Sequence, residues 1–200
     1  MGMFELNAGR QNLTIENTQK DKSWSRAMQL MEIHSHRVKD VDKDICEKLE
    51  PGEAHFILTS NRINMRTFLL WILQHSDSGC IDELIGATYS VTSNTAIMFF
   101  SLFDSGKIKK AAFIICGHLL RANNRSVIDF VAECRKRDIP VLIRNNHSKI
   151  LLAQCGRQKI ALMGSGNFSE NADIEQYMMI DDGRVFDFYK QALLEDCSDR

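Results

Sequence analysis

Short apolar runs along the chain alternate with longer stretches in which apolar residues recur every three or four positions. Residues 55–59, 84–91, 111–116, 140–143, 150–153, 159–163 and 174–180 have the length and bounding residues of buried strands. Between them the period near 3.6 predicts helices over 65–74, 96–103 and from Val127 to Cys134. A closing helix carries Val185, Phe186, Phe188, Tyr189, Ala192 and Leu193 inward. Thr92 or Ser93 is the expected cap of the 96–103 helix, and Ser126 that of the next. Strand and helix alternate and then give way to a cluster of strands. That order predicts an α/β sandwich: a mostly parallel, mixed sheet with helices on both faces.

The first fifty residues read differently. Residues 1–20 are polar and loosely patterned. From Trp24 to about Leu49 the residues Trp24, Met28, Met31, Val38, Val41 and Ile45 mark a helix, with Asp21 or Ser23 as cap and Pro51-Gly52 as stop. The helix is expected to pack within the chain. His34 and His36, two apart, point to different faces of such a helix and read as surface histidines.

The chemistry concentrates later, in Asn146-His147-Ser148-Lys149, Gly164-Ser165-Gly166-Asn167 and Glu175. On a strand, His147 and Lys149 project from one face, and Ser165 and Asn167 share that spacing after the second run. A hairpin around Gly156-Arg157-Gln158 brings both pairs to one edge of the sheet. An imidazole, an ammonium, a hydroxyl and an amide that converge suit a phosphodiester. A neutral imidazole attacks phosphorus and forms a covalent intermediate. Lys149, Ser165 and Asn167 then serve as donors to the charge on the non-bridging oxygens. Glu175 is expected to accept from the second ring nitrogen of His147. The scheme needs no metal and no cofactor.

These residues resemble the signature (HKD motif) of the phospholipase D superfamily: His147-x-Lys149, then Gly164-Ser165-x-Asn167 and a following acid. The likeness is greatest to small bacterial endonucleases that carry one motif per chain and work as dimers. It runs from about residue 55 to 195 and includes the segment from Ala87 to Ser93 and the polar loop from Arg121 to Ser126. It divides the chain into an N-terminal extension with one amphipathic helix, 1–50, and a phospholipase D-like catalytic domain, 51–200. The chain departs from the family at Gln154, where the usual Asp stands five residues after the Lys. The resemblance places that Asp away from the phosphate, and the tyrosyl-DNA phosphodiesterase branch also lacks it.

Composition narrows the substrate little. Of 200 residues, 44% are hydrophobic and 26% charged, the balance of a folded globular protein. A net charge of -1 requires any nucleic-acid surface to be local. Arg121, Arg125 and Arg144, with Ser93 and His118 at strand ends, are the candidate substrate contacts. For His118 a histidine held by neighbouring loops is the competing reading. The six cysteines lack zinc-like spacing, and Cys116, Cys134 and Cys155 sit in apolar surroundings as free thiols. The N-terminus shows no leader pattern, and the longest apolar runs, such as 68–73, are far short of a membrane span. A reducing cytoplasm is the expected location.

A single motif supplies one histidine, whereas the leaving oxygen needs an acid and the second step a base. A homodimer with a two-fold axis through the site would supply the second His147. The reading is therefore a metal-independent phosphodiesterase, a nuclease acting on DNA ahead of RNA, with no membrane partner. Two alternatives stay open: a binding or regulatory module in which Gln154 marks lost catalysis, and a lipid phosphodiesterase or phosphatidyl transferase.

Overall fold

Seven strands make up the sheet: β1 (Ala54–Thr59), β2 (Glu83–Thr88), β3 (Ala111–Cys116), β4 (Val141–Arg144), β5 (Ile150–Cys155), β6 (Gln158–Gly164) and β7 (Glu175–Asp181). The computed structural model describes residues 25–42, 49–59, 63–169 and 174–195. The strand order is β1-β7-β6-β5-β2-β3-β4. Neighbours β2, β3 and β4 are parallel, as expected of strands linked through helices, and the remaining neighbours are antiparallel. Five strands run one way, with β5 and β7 against them. The sheet is thus mixed, and mostly parallel in strand direction, although only two of its six neighbouring pairs are parallel. The β5–β6 hairpin turns at Gly156, whose φ of 60° lies in the left-handed region.

The helices are α1 (residues 25–42), α2 (Met65–His75), α3 (Ser93–Asp104), α4 (Gly117–Arg121), α5 (Arg125–Arg135) and α6 (Gly183–Leu194). Thr92 caps α3 by accepting from Thr95 N. The cap of α5 is Asn124, which accepts from Val127 N, so that helix begins ahead of the expected Ser126. The short α4 occupies what the sequence suggested was a strand-end loop.

Helices α1, α2, α3 and α5 share one apolar cluster with the main face of the sheet. Its centre is aromatic: Phe113 meets Phe99 and Phe130 edge-on, at 4.8 and 4.9 Å between centroids. On the opposite face α6 lays Phe186 over Ile85, Ala87, Ile114 and Leu152. Helices therefore cover both faces. Phe188, expected inward, is 64% exposed because it lies on the outer side of α6.

Helix α1 packs within the chain, but its buried stripe is Ala27, Leu30, His34, Val38 and Val41, and Met28 is half exposed. The first half of the stripe is offset by one residue, with Ala27 and Leu30 buried ahead of Met28 and Met31, and it meets the expected one at Val38 and Val41. His34 is fully buried, its Nδ1 3.0 Å from Thr67 Oγ1. Burial, reinforced by Arg66 and Arg37, pulls its pKa down to about 3. The surface reading holds for His36 alone. Trp24, Ile45, the Asp21 and Ser23 caps, residues 1–20, Cys46 and Cys197 lie outside the described residues. Cys116, Cys134 and Cys155 are buried free thiols, and burial pushes Cys134 and Cys155 up to about 12.

Candidate functional site

The ends of β1, β2, β3, β4 and β6 and the starts of β5 and β7 all lie at one edge of the sheet. The hairpin pairs Ile150 with Met163, and Gly164 N donates to Lys149 O at 3.1 Å. Lys149 therefore stands beside the Gly164–Asn167 segment, as the hairpin argument required. One detail differs: His147 and Lys149 lie in the segment before β5 rather than on the strand. That segment starts at the far edge strand, β4, and crosses the ends of β3 and β2 to reach β5.

His147 is exposed and Lys149 nine-tenths buried. Lys149 Nζ lies 3.1 Å from His147 Nδ1 and donates to His147 O at 2.7 Å. Burial lowers the pKa of the ammonium, and the Glu175 carboxylate works against that shift. The other half of the cluster is Ser165 and Glu175. The Ser165 hydroxyl donates to Glu175 Oε2 in a short hydrogen bond, and its oxygen accepts from Gln176 N at 3.0 Å. Glu175 thus accepts from Ser165, where the expectation was a bond from the second ring nitrogen of His147, and His147 Nδ1 lies beside Lys149. Asn167 follows on the same segment. Its Oδ1 is buried with no hydrogen-bond partner among the described residues, an uncompensated polar atom beside the cluster.

The glycines of the second motif have a steric cause. A Cβ on Gly164 would collide with the Tyr177 ring and Gln176 O, and one on Gly166 with the Tyr177 hydroxyl. Tyr177 is buried, packs on Phe68 and donates to Ile63 O. The loop bearing Ser165 and Asn167 therefore rests directly on a fixed ring.

Among the expected substrate contacts, Ser93, His118, Arg121 and Arg125 lie on the helices that leave this same edge. Ser93 Oγ is 3.2 Å from Ser126 Oγ, joining the first turns of α3 and α5. Arg121 Nη2 lies 3.0 Å from His118 Nδ1, and Arg125 pairs with Asp129 one turn on. Arg144 makes contacts within the chain. Its guanidinium donates to Leu193 O and Glu195 O, closing the C-terminal end of α6, where cations meet the negative end of the helix. Gln154 sits near the opposite end of β5, paired with Glu83 and Lys159. Five residues of strand put it about 17 Å from Lys149.

Two residues at the site had no role in the sequence reading. The ring of Tyr89, just past the end of β2, lies 5.0 Å from that of His147 at 56°. Asn146 Nδ2 donates to Thr88 O at 3.1 Å and Ile114 O at 3.4 Å. Its Oδ1 accepts from Ser148 N and from the Ser148 hydroxyl. The visible signal was position alone: Asn146 precedes the histidine, and Tyr89 follows a strand. Among the described residues no three His, Cys, Asp or Glu are grouped to hold a metal ion, and no helix is long and apolar enough to cross a membrane.

No protein-family model matches the sequence, and neither does any curated protein. Solved structures give distant likenesses. An archaeal chromatin protein, TrmBL2, described as showing a novel mode of DNA binding, has a TM-score of 0.46 at 12% identity over 94% of this chain and 64% of its own. Polyphosphate kinase from Porphyromonas gingivalis scores 0.49 at 18%, over 74% and 27%. Phosphatidylserine synthase from Haemophilus influenzae Rd KW20 scores 0.47 at 13%, over 70% and 37%. The chain spans less than two thirds of each of these proteins, and likenesses this low carry no functional argument.

Proposed function

We propose that the chain is a metal-independent phosphodiesterase of the phospholipase D-like kind, a nuclease that uses His147 as nucleophile in a site shared by two copies. The observation that supports this best is an exposed imidazole 3.1 Å from a buried ammonium, set at one sheet edge beside the Ser165–Glu175 pair. A phosphodiester at His147 would meet Lys149 at once and could draw the Ser165 hydroxyl away from Glu175.

In the first step a His147 ring nitrogen bonds to phosphorus as the P–O bond to the leaving alcohol breaks, and an acid protonates that oxygen. In the second step a base takes a proton from water, whose oxygen attacks phosphorus and frees the histidine. His147 of a second copy serves as acid and then base. The contact between Lys149 and Nδ1 bears on the first step. An ammonium that donates to Nδ1 leaves the ring hydrogen on Nε2, a form whose Nε2 has no free lone pair with which to attack. For Nε2 to attack, Lys149 must turn from the ring to the phosphate oxygens. Gln154, about 17 Å along β5, does not argue for lost catalysis.

The test is a panel of single- and double-stranded DNA and RNA with chelator present. Wild type is expected to cleave, His147→Ala to be inactive but still to bind, and Lys149→Ala to lose about a hundredfold or more. Dilution of wild type with excess His147→Ala chains should suppress activity below the wild-type share. Rates that track the wild-type share refute the shared site, and activity that returns only with magnesium or manganese refutes the mechanism.

A further inference from the structure

The segment that carries His147 crosses the ends of two strands. Strand β4 ends at Arg144 and β5 begins at Ile150, both at the same edge, and β3 and β2 lie between them in the sheet. The crossing covers three strand spacings, about 14 Å. Six Cα steps reach about 20 Å when fully extended. Residues 145–149 therefore run over the ends of β3 and β2 with about 6 Å of reach to spare, at the point where the chain stops adding strands on one side of β2 and moves to the other. Such a switch in strand order leaves a crevice outside the carboxyl ends of the strands.

Asn146 anchors this segment to the strands it crosses. Its amide hydrogens reach the carbonyl of Thr88, the last residue of β2, and that of Ile114 in β3. Its oxygen accepts from the backbone and side chain of Ser148, and so holds a tight turn around the one residue in between. That residue is His147. The imidazole is thereby tied to two strands through its neighbour, while its own ring lies against Tyr89 and Lys149.

We infer that Asn146 is the positioning residue of the site: it fixes the histidine over the switch in strand order without touching substrate. The inference rests on the proposed role of His147 for its kinetic consequence, but not for its structural one. Asn146→Ala removes both halves of the anchor. Asn146→Asp keeps the acceptor for Ser148 and loses the donors to the strands.

The experiment pairs kinetics with imidazole NMR of the full chain free of substrate. In both variants kcat should fall about tenfold to a hundredfold with KM nearly unchanged, the pattern of a misplaced reacting group. The His147 ring signals should lose their single fixed tautomer while the melting temperature and the other histidines stay as in wild type. If Asn146→Ala does not fold, Asn146→Asp decides. A folded variant with an unaltered His147 signal overturns the inference. Should wild type prove inert on every phosphodiester, the proposed function fails, and the altered His147 signal still establishes the anchor.

Discussion

His34 makes a prediction whose size follows from the structure. Its ring is fully buried, and its pKa falls to about 3 from an ordinary 6.5. Between these values the unfolded chain binds a proton that the folded chain refuses. Stability is therefore complete above pH 6.5, declines as pH falls below it, and levels off once pH passes the folded value. At pH 5 the unfolded histidine lies 1.5 units below its own pKa, worth about 2 kcal/mol at 1.36 kcal/mol per unit. That figure barely depends on where the folded pKa lies, provided it is well under 5. His34→Gln keeps a polar partner for Thr67 and removes the titration. Urea melts of both proteins at pH 7 and pH 5 give the test. Wild type should lose about 2 kcal/mol more than the variant over that interval, since carboxylates that titrate in both cancel in the difference. Equal losses would mean that His34 is charged or solvated in the folded chain, and the packing described for α1 would be wrong.

Gln154→Asp should change activity only modestly, because the position is a strand length from the site; a large gain from an inert wild type would instead favour the regulatory reading. Gly166→Ala should cost about 1–3 kcal/mol by driving a methyl into the Tyr177 hydroxyl, and Tyr177→Phe in the same chain should recover part of that loss in a double-mutant cycle. Arg144→Ala should lower the melting temperature by freeing the end of α6, while KM for nucleic acid stays the same; a rise in KM would return Arg144 to the substrate surface.

Much of the fold was legible because local patterns and tertiary needs agree. The run 111–116 is β3 to the residue, and the two runs around Gly156 form the expected hairpin. Long periodic helices and compact apolar strands carry their own evidence. What failed were statements about partners. His34 sits in the core because α2 offers it a hydroxyl, a fact that appears nowhere near residue 34 in the sequence. Arg144 ends its strand beside the site, yet its long side chain reaches the last turn of α6, 49 residues on. Glu175 was matched to His147 on chemistry, whereas the Ser165 hydroxyl, one register step from it across β6 and β7, bonds to it. Asn146 escaped notice because its function is to bind carbonyls of two distant strands. Periodicity reports which face a residue is on, and it cannot report which neighbour arrives there.

The crossing from β4 to β5 also bears on how this chain could change over time. Residue identities at 145 and 148 can drift while the turn survives, but the spacing that keeps Asn146 and Ser148 on either side of the histidine cannot change without losing that turn. A residue inserted between them would break the turn and release the imidazole from its place. Length, rather than composition, is the trait that selection should hold fixed in this segment. Descendants that keep the histidine but gain residues here would be expected to keep the fold and lose the chemistry.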